Sequence, residues 1–153
     1  MEKLDPRKVL TGSDGYISAA VGDGEAVRLV DVTAFNASLN VTNADHQVIG
    51  DKFIYAVNTG VSVAISITEG VTRDDVTIVP ILEAYKANKP VYFTFHGTLD
   101  RKWCDGQESR QVFRNCVPDG TIGILNLTPG EALSRELAFR GNALPEILKY
   151  FTA

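Results

Sequence analysis

Several residue types are scarce in this chain, and each scarcity excludes something. Two cysteines, Cys104 and Cys116, are too few for a disulfide scaffold. A pairing across a hairpin is one reading of them, and a reduced pair is the favoured one. Two histidines, His46 and His96, leave little room for imidazole chemistry, and a zinc site would want four clustered Cys or His ligands. Basic residues do not dominate: 15 Lys and Arg stand against 19 Asp and Glu, a net charge of −4. That balance argues against a general binder of nucleic acid or of anionic membranes. No apolar run approaches the roughly 20 residues that span a bilayer, so no membrane anchor is expected. Met1 to Leu10 is charged and lacks the apolar core of a secretory signal, which points to folding in a cytoplasm.

What is present is ordinary for a globular chain. With 153 residues, 44% hydrophobic and 22% charged, one domain over 1–153 with a substantial core is expected. The stretch Thr72–Leu99 organises it. Ile78, Ile81, Leu82 and Tyr85 recur at i, i+3, i+4 and i+7, the spacing of one helical face. Pro80 in a helix interior would cost roughly 3 kcal/mol, whereas in the first turn its missing N–H has no partner to lose. The helix is therefore placed at about Ile78–Asn88, with Thr77 as N-cap and Asn88-Lys89-Pro90 as the stop. Val91, Phe93, Phe95, Gly97 and Leu99 then alternate with polar residues in the period of a half-buried strand.

Before this stretch, Tyr16–Val21 reads as a short strand and Gly22-Asp23-Gly24 as a hairpin turn. Glu25–Thr42 is a long strand whose phase slips near Asp31–Ala34, predicting a bulge or bend. Asn43–Lys52 reads as a polar loop, and Phe53–Thr68 as a second long strand. Both long strands carry apolar residues on one side and small hydroxyl or amide side chains on the other. Ordinary solvent-facing strands more often carry Lys, Glu and Arg there. After the helix, strands are predicted over Pro90–Leu99, Ser109–Val117, Thr121–Leu127 and Ala132–Arg140, the last burying Leu133, Leu137 and Phe139. In the tail, Leu148, Tyr150 and Phe151 are expected to dock. The acceptor patterns starting at Asn36, Asn40 and Asn126 read as small polar residues on strands rather than glycosylation sites.

No catalytic constellation emerges, and no cofactor is implied. His96 with Asp100 and Cys104 is the single assembly that could be written as base, orienter and nucleophile, and an exposed strand histidine near a loop cysteine is favoured over it. Asp74-Asp75 precedes the helix, where negative charge meets the helix dipole. Gly12-Ser13-Asp14-Gly15 lacks the ending of a phosphate loop. The chain is read as a non-enzyme.

The order of elements resembles a family. Asp5 through Gly15 resembles the opening of phage tail tube proteins of the PBSX and diffocin type. Phe35–Val41, the loop ending at Ile49-Gly50, and Gly60–Ile67 are similar to that family's tube-lining segments. The helix leaving through Lys89-Pro90-Val91-Tyr92-Phe93, and Arg110–Asn115, fit the same order. Val117–Gly141 and the loop holding Trp103 and Cys104 depart from it. The resemblance implies a mainly β fold: a β-sandwich or partial barrel of two packed antiparallel sheets with one flanking α-helix. It implies hexameric rings stacked into a tube in a virion tail, assembled in the bacterial host cytoplasm. Tail sheath, baseplate, tape-measure and tail terminator proteins would be its partners. DNA or an effector would pass through without specific binding. On that reading Asn36, Ser38, Asn40, Ser62, Ala64 and Ser66 line the lumen. Asp5, Arg7 and Lys8 in an arm over 1–13, with Asp45, His46, Gln47, Asp51 and Lys52 in the 43–52 loop, contact the next ring. The alternatives are the tube of a bacterial secretion system and a monomeric β-sandwich that binds a sugar or peptide. The latter should expose aromatic residues on its binding face.

Overall fold

Strand alternation builds most of this molecule. A computed structural model describes residues 3–152 apart from 4, 5, 9, 11, 13, 14, 23, 30, 31, 70–76, 102–105, 126 and 133. Asp5, Asp14, Asp74, Asp75, Trp103, Cys104 and Leu133, all used above, lie outside the described residues. After a 3-10 turn at Pro6–Lys8 come β1 (Gly15–Val21), β2 (Val27–Leu29), β3 (Val32–Gln47) and β4 (Ile54–Glu69). The helix α1 (Ile78–Lys86) follows, then β5 (Phe93–Asp100), β6 (Glu108–Pro118), β7 (Arg135–Gly141) and β8 (Glu146–Lys149).

The mainly β class with one helix is as expected, and the strands form one continuous antiparallel sheet rather than two separate ones. Its order is β2-β1-β5-β6-β7-β4-β3, with β8 added on β6. The sheet curls until its far strand reaches its middle. Phe35 of β3 lies 6.2 Å from Phe95 of β5 and 6.1 Å from Phe113 of β6, measured between ring centroids. The end strands β2 and β3 do not pair, so the barrel stays open. Right-handed twist, together with a register shift between Val32 and Ala34, gives the sheet its curl. That shift falls where the sequence phase slips.

The core is a phenylalanine cluster walled by β-branched residues. Phe93 and Phe95 stack at 6.1 Å, and both meet Phe139 edge-on at 5.2 and 5.1 Å. Val63, Ile65, Ile67 and Leu137 are buried beside them, with Ile78 and Ile81 from the helix. The helix ends as its sequence predicts. Asn88 adopts φ 58, and the N–H groups of Asn88 and Lys89 donate to the carbonyls of Tyr85 and Ala84 at 3.2 and 2.9 Å. This is the Schellman closure, in which a left-handed residue satisfies the last carbonyls. Leu82 and Tyr85, expected on the buried face, are exposed; Ile78 and Ile81, with half-buried Ala84, make the helix's contact with the core.

Four sequence expectations need correction. Asn43–Gln47 is strand, not loop: β3 continues through Asp45 and His46, paired to Ala56 and Tyr55. Within the expected strand Thr121–Leu127, the described residues 121–125 and 127 are irregular, with Gly123 N–H donating to the Glu136 carbonyl at 2.9 Å and Ile124, Leu125 and Leu127 exposed. The tail docks by pairing β8 with β6, leaving Leu148 and Tyr150 exposed. Phe151 docks instead beneath the Arg101 guanidinium at 4.2 Å, and Arg101 also donates to the Thr152 carbonyl at 3.2 Å. Finally, Thr77 makes no capping bond to the helix. Its hydroxyl accepts from Arg135 at 3.3 Å.

Candidate functional site

The β3–β4 hairpin carries the most unusual surface. Its two strands pair in a register that places the small polar residues opposite one another: Asn36 with Ser66, Ser38 with Ala64, and Asn40 with Ser62. All six expected lining residues therefore share one face, and apart from half-buried Ser62 they are exposed. The other face pairs Phe35 with Ile67, Ala37 with Ile65 and Leu39 with Val63, and on β4 this is the core side. One residue pair further out, Val41 and Val61 are each 50% exposed, which marks where the body of the protein ends. Beyond that point, among the described residues, the two strands of the hairpin pair with each other alone.

Sequence reasoning missed that the polar face continues onto β7. Ser66 is followed across the sheet by Ala138, Ala64 by Arg140, and Thr68 by Glu136. Along these three strands the face brings one acid and one base among otherwise small, uncharged side chains. Parity along Ala132–Arg140 could have found it, since Leu137 and Phe139 face inward and force Glu136, Ala138 and Arg140 outward.

A bulge then reshapes the outer hairpin. The register shifts between Thr42 and Asn43, leaving Thr59 without a strand partner. Its hydroxyl donates to the Thr42 carbonyl at 3.0 Å, and the Gly60 N–H donates to the Asn58 side chain at 3.1 Å. The tip is held by Asp51. Its carboxylate accepts the Phe53 N–H at 2.9 Å and the Tyr55 hydroxyl at 2.8 Å, while its own N–H reaches the Val48 carbonyl at 3.1 Å. The Phe53 bond and then the Tyr55 bond hold the Asp51 carboxyl below the usual range, and the same carboxylate pushes the Tyr55 phenol up. Gly50 takes φ +88, which the turn requires and a side chain would resist.

The expected inter-ring residues divide between two places. Asp45, His46 and Gln47 are the last residues of β3, and Asp51 and Lys52 sit in the turn, all exposed. Arg7 and Lys8 lie in the 3-10 turn near the N-terminus, and Asp5 is outside the described residues. No group of three metal-capable side chains comes together among the described residues. His96 and Asp100 are both on β5, four residues apart. At a rise of about 3.3 Å per residue they are roughly 13 Å from each other, too far for an oriented dyad. Cys116 is buried and free, and burial pushes its thiol up to about 11.

No protein-family description and no curated protein sequence matches the chain. Solved structures do. A chain of the anti-feeding prophage baseplate superposes with a TM-score of 0.65 at 9% identity, covering 93% of this chain and 97% of that one. A chain from the tube-terminating cap of the same particle gives 0.64 at 12% identity, with 97% of each chain covered. The PVC sheath–tube complex, an extracellular contractile injection system, contributes a third at 0.61 and 12%, with 95% of each covered. The chain therefore has the fold found among components of phage-tail-like particles.

Proposed function

We propose that this protein is the repeating structural subunit of a tail tube, forming hexameric rings that stack around a channel. One observation carries the reading: the exposed face formed by the Asn36–Ser66, Ser38–Ala64 and Asn40–Ser62 pairs on a hairpin whose outer strand ends the sheet. A long terminal strand is a template for pairing with another chain, and natural proteins rarely leave one open. Closing such strands around a ring pairs their edges and turns one face inward. The hairpin's serine, asparagine and alanine offer a passing polymer little grip, and the one acid and one base that β7 adds to the face leave it without net charge, so DNA or an effector protein slides without being held. The sixfold symmetry of the anti-feeding prophage baseplate and the C6 symmetry of the gene transfer agent tail support six copies per ring. The role is structural rather than enzymatic. Sheath, baseplate, tape-measure and terminator proteins are the partners such a tube requires. The tube belongs to a tail assembled in the host cytoplasm.

Size measurement by analytical ultracentrifugation, with negative-stain imaging of purified protein, tests this. Rings or tubes are expected. A chain that stays strictly monomeric at high concentration, and is never found in tail particles, overturns the proposal.

A further inference from the structure

An apolar tip and a groove of mixed polar and apolar lining lie at opposite ends of the same hairpin. At the tip, Val48 and Phe53 are largely exposed and Ile49 is fully so, at 102% of its reference surface. The turn that presents them is pinned by Asp51 through four hydrogen bonds, so the knob is held in one shape. At the other end, the mouth of the curled sheet between β2 and β3 opens into a groove of about 840 Å³. Ile17, Leu29, Val32, Phe35, Leu99 and Phe113 supply its apolar lining. A rigid apolar knob and a groove whose lining is about half apolar cannot meet within one chain. With a strand rise of ~3.3 Å per residue, β3 separates them by roughly 40 Å.

We propose that Val48, Ile49 and Phe53 of one copy dock into the β2–β3 mouth of a second copy, placed one hairpin length further along the strand direction. The proposal rests on the tube reading and names the contact that joins one ring to the next. Such a contact is heterologous: each copy offers its knob to one neighbour and its groove to another, and the series does not close. Linear growth follows from that geometry. Charge matches shape at the two ends. Arg28 stands at the groove, its guanidinium 4.6 Å above the Tyr16 ring, and Asp45 stands exposed on the hairpin close to the tip. Docking brings the acid of one copy towards the base of the next. The axial repeat is then set by hairpin length, at about 40 Å or somewhat less if the strands tilt.

The test uses the full chain in a Cys104→Ser background. Ile49→Cys and Ala34→Cys place thiols at the tip and at the mouth, where Ala34 is exposed. Within one chain the two lie far beyond the ~7 Å limit for a disulfide between Cα atoms. Mild oxidation of the double variant is expected to give a ladder of covalent multimers, and each single variant dimers at most. Ile49→Asp is expected to stay folded, since the side chain touches solvent alone, and to keep its rings. It should raise the concentration needed for tube growth by about tenfold or more, the weight of one isoleucine side chain per contact. Arg28→Glu should weaken growth, and adding Asp45→Arg should restore it. Tubes that form without a ladder, and at wild-type length in Ile49→Asp, overturn this contact and leave the tube reading intact. A wild-type chain that forms neither rings nor tubes overturns both.

Discussion

Glu69 and Arg135 show how much a single charge pair can organise. They sit directly opposite each other in the β4–β7 register, on the core side of both strands, and are only 2% and 3% exposed. The guanidinium donates twice to the same carboxylate oxygen, at 2.7 and 3.1 Å, and also to Thr77 at the start of the helix. One arginine thus ties two strands to α1. Breaking a buried pair leaves a charge without compensation, so Glu69→Ala is expected to cost about 3–5 kcal/mol in urea unfolding. Replacing both residues by leucine should recover most of that loss. Equal loss in the double variant would mean that the hydrogen bond to Thr77, rather than the charge, is what matters. Cys116 illustrates the opposite case, a neutral group kept neutral by burial. Its thiol is pushed up to about 11 in the folded protein. A raised value means that this residue's contribution to stability is complete below the unfolded value, near 9, and is lost as pH rises from there towards 11. In a Cys104→Ser background, reaction with a disulfide reagent at pH 8 should be slow in buffer and fast in urea. Equal rates would show that the thiol is open to solvent.

At the scale of elements, alternation was informative wherever one face of a strand is buried. Val63, Ile65 and Ile67 are core and Ser66 is exposed, as their parity requires. A paired comparison follows. Ile65→Asp places an unpaired carboxylate among phenylalanines and should prevent folding. Ser66→Asp should fold as an isolated subunit, because water reaches it, though on the tube reading six copies facing one channel would repel. If the serine variant unfolds the subunit as severely as the isoleucine variant, this face is core and no channel lining. The same logic explains what the sequence hid. Asn43–Gln47 lacks an apolar side because the outer hairpin is exposed on both faces, so a strand there leaves no period-2 signal. Thr121–Leu127 has the apolar content of a strand, yet among its described residues little but the Glu136 carbonyl offers a ladder bond. Glu69 and Arg135 were legible by parity, being in phase with Ile67 and Leu137. The opposite registers that bring them together are tertiary and could not be read from spacing. The candidate lining, five polar residues and Ala64, was legible from its alternation with apolar residues, although the β3 neighbours Ala37, Leu39 and Val41 are themselves exposed.

For the whole molecule, the outer hairpin is the part whose presence a monomer does not explain. Among the described residues, 43–58 pair only with each other, while the phenylalanine core, the buried ion pair and the β8 clasp all lie in the body. Beyond Val61 the hairpin exposes Ile54, Tyr55 and Val57 as well as its tip, an apolar cost that an isolated subunit bears without return. Removing it should therefore spare folding and abolish assembly. The Thr42–Gly60 pair offers a clean cut, because the two residues are register partners. Joining them through an Asn-Gly turn, which has the left-handed residues a two-residue hairpin needs, replaces everything outside the body. The shortened chain is expected to melt within a few degrees of the parent subunit, since almost no buried apolar area is lost. On the tube reading it should remain monomeric at concentrations where the full chain assembles, because it lacks both the tip and much of the open strand. Tubes of normal length from the shortened chain would show that the body alone carries the interface. An unfolded shortened chain would show that the hairpin completes the core rather than projecting from it.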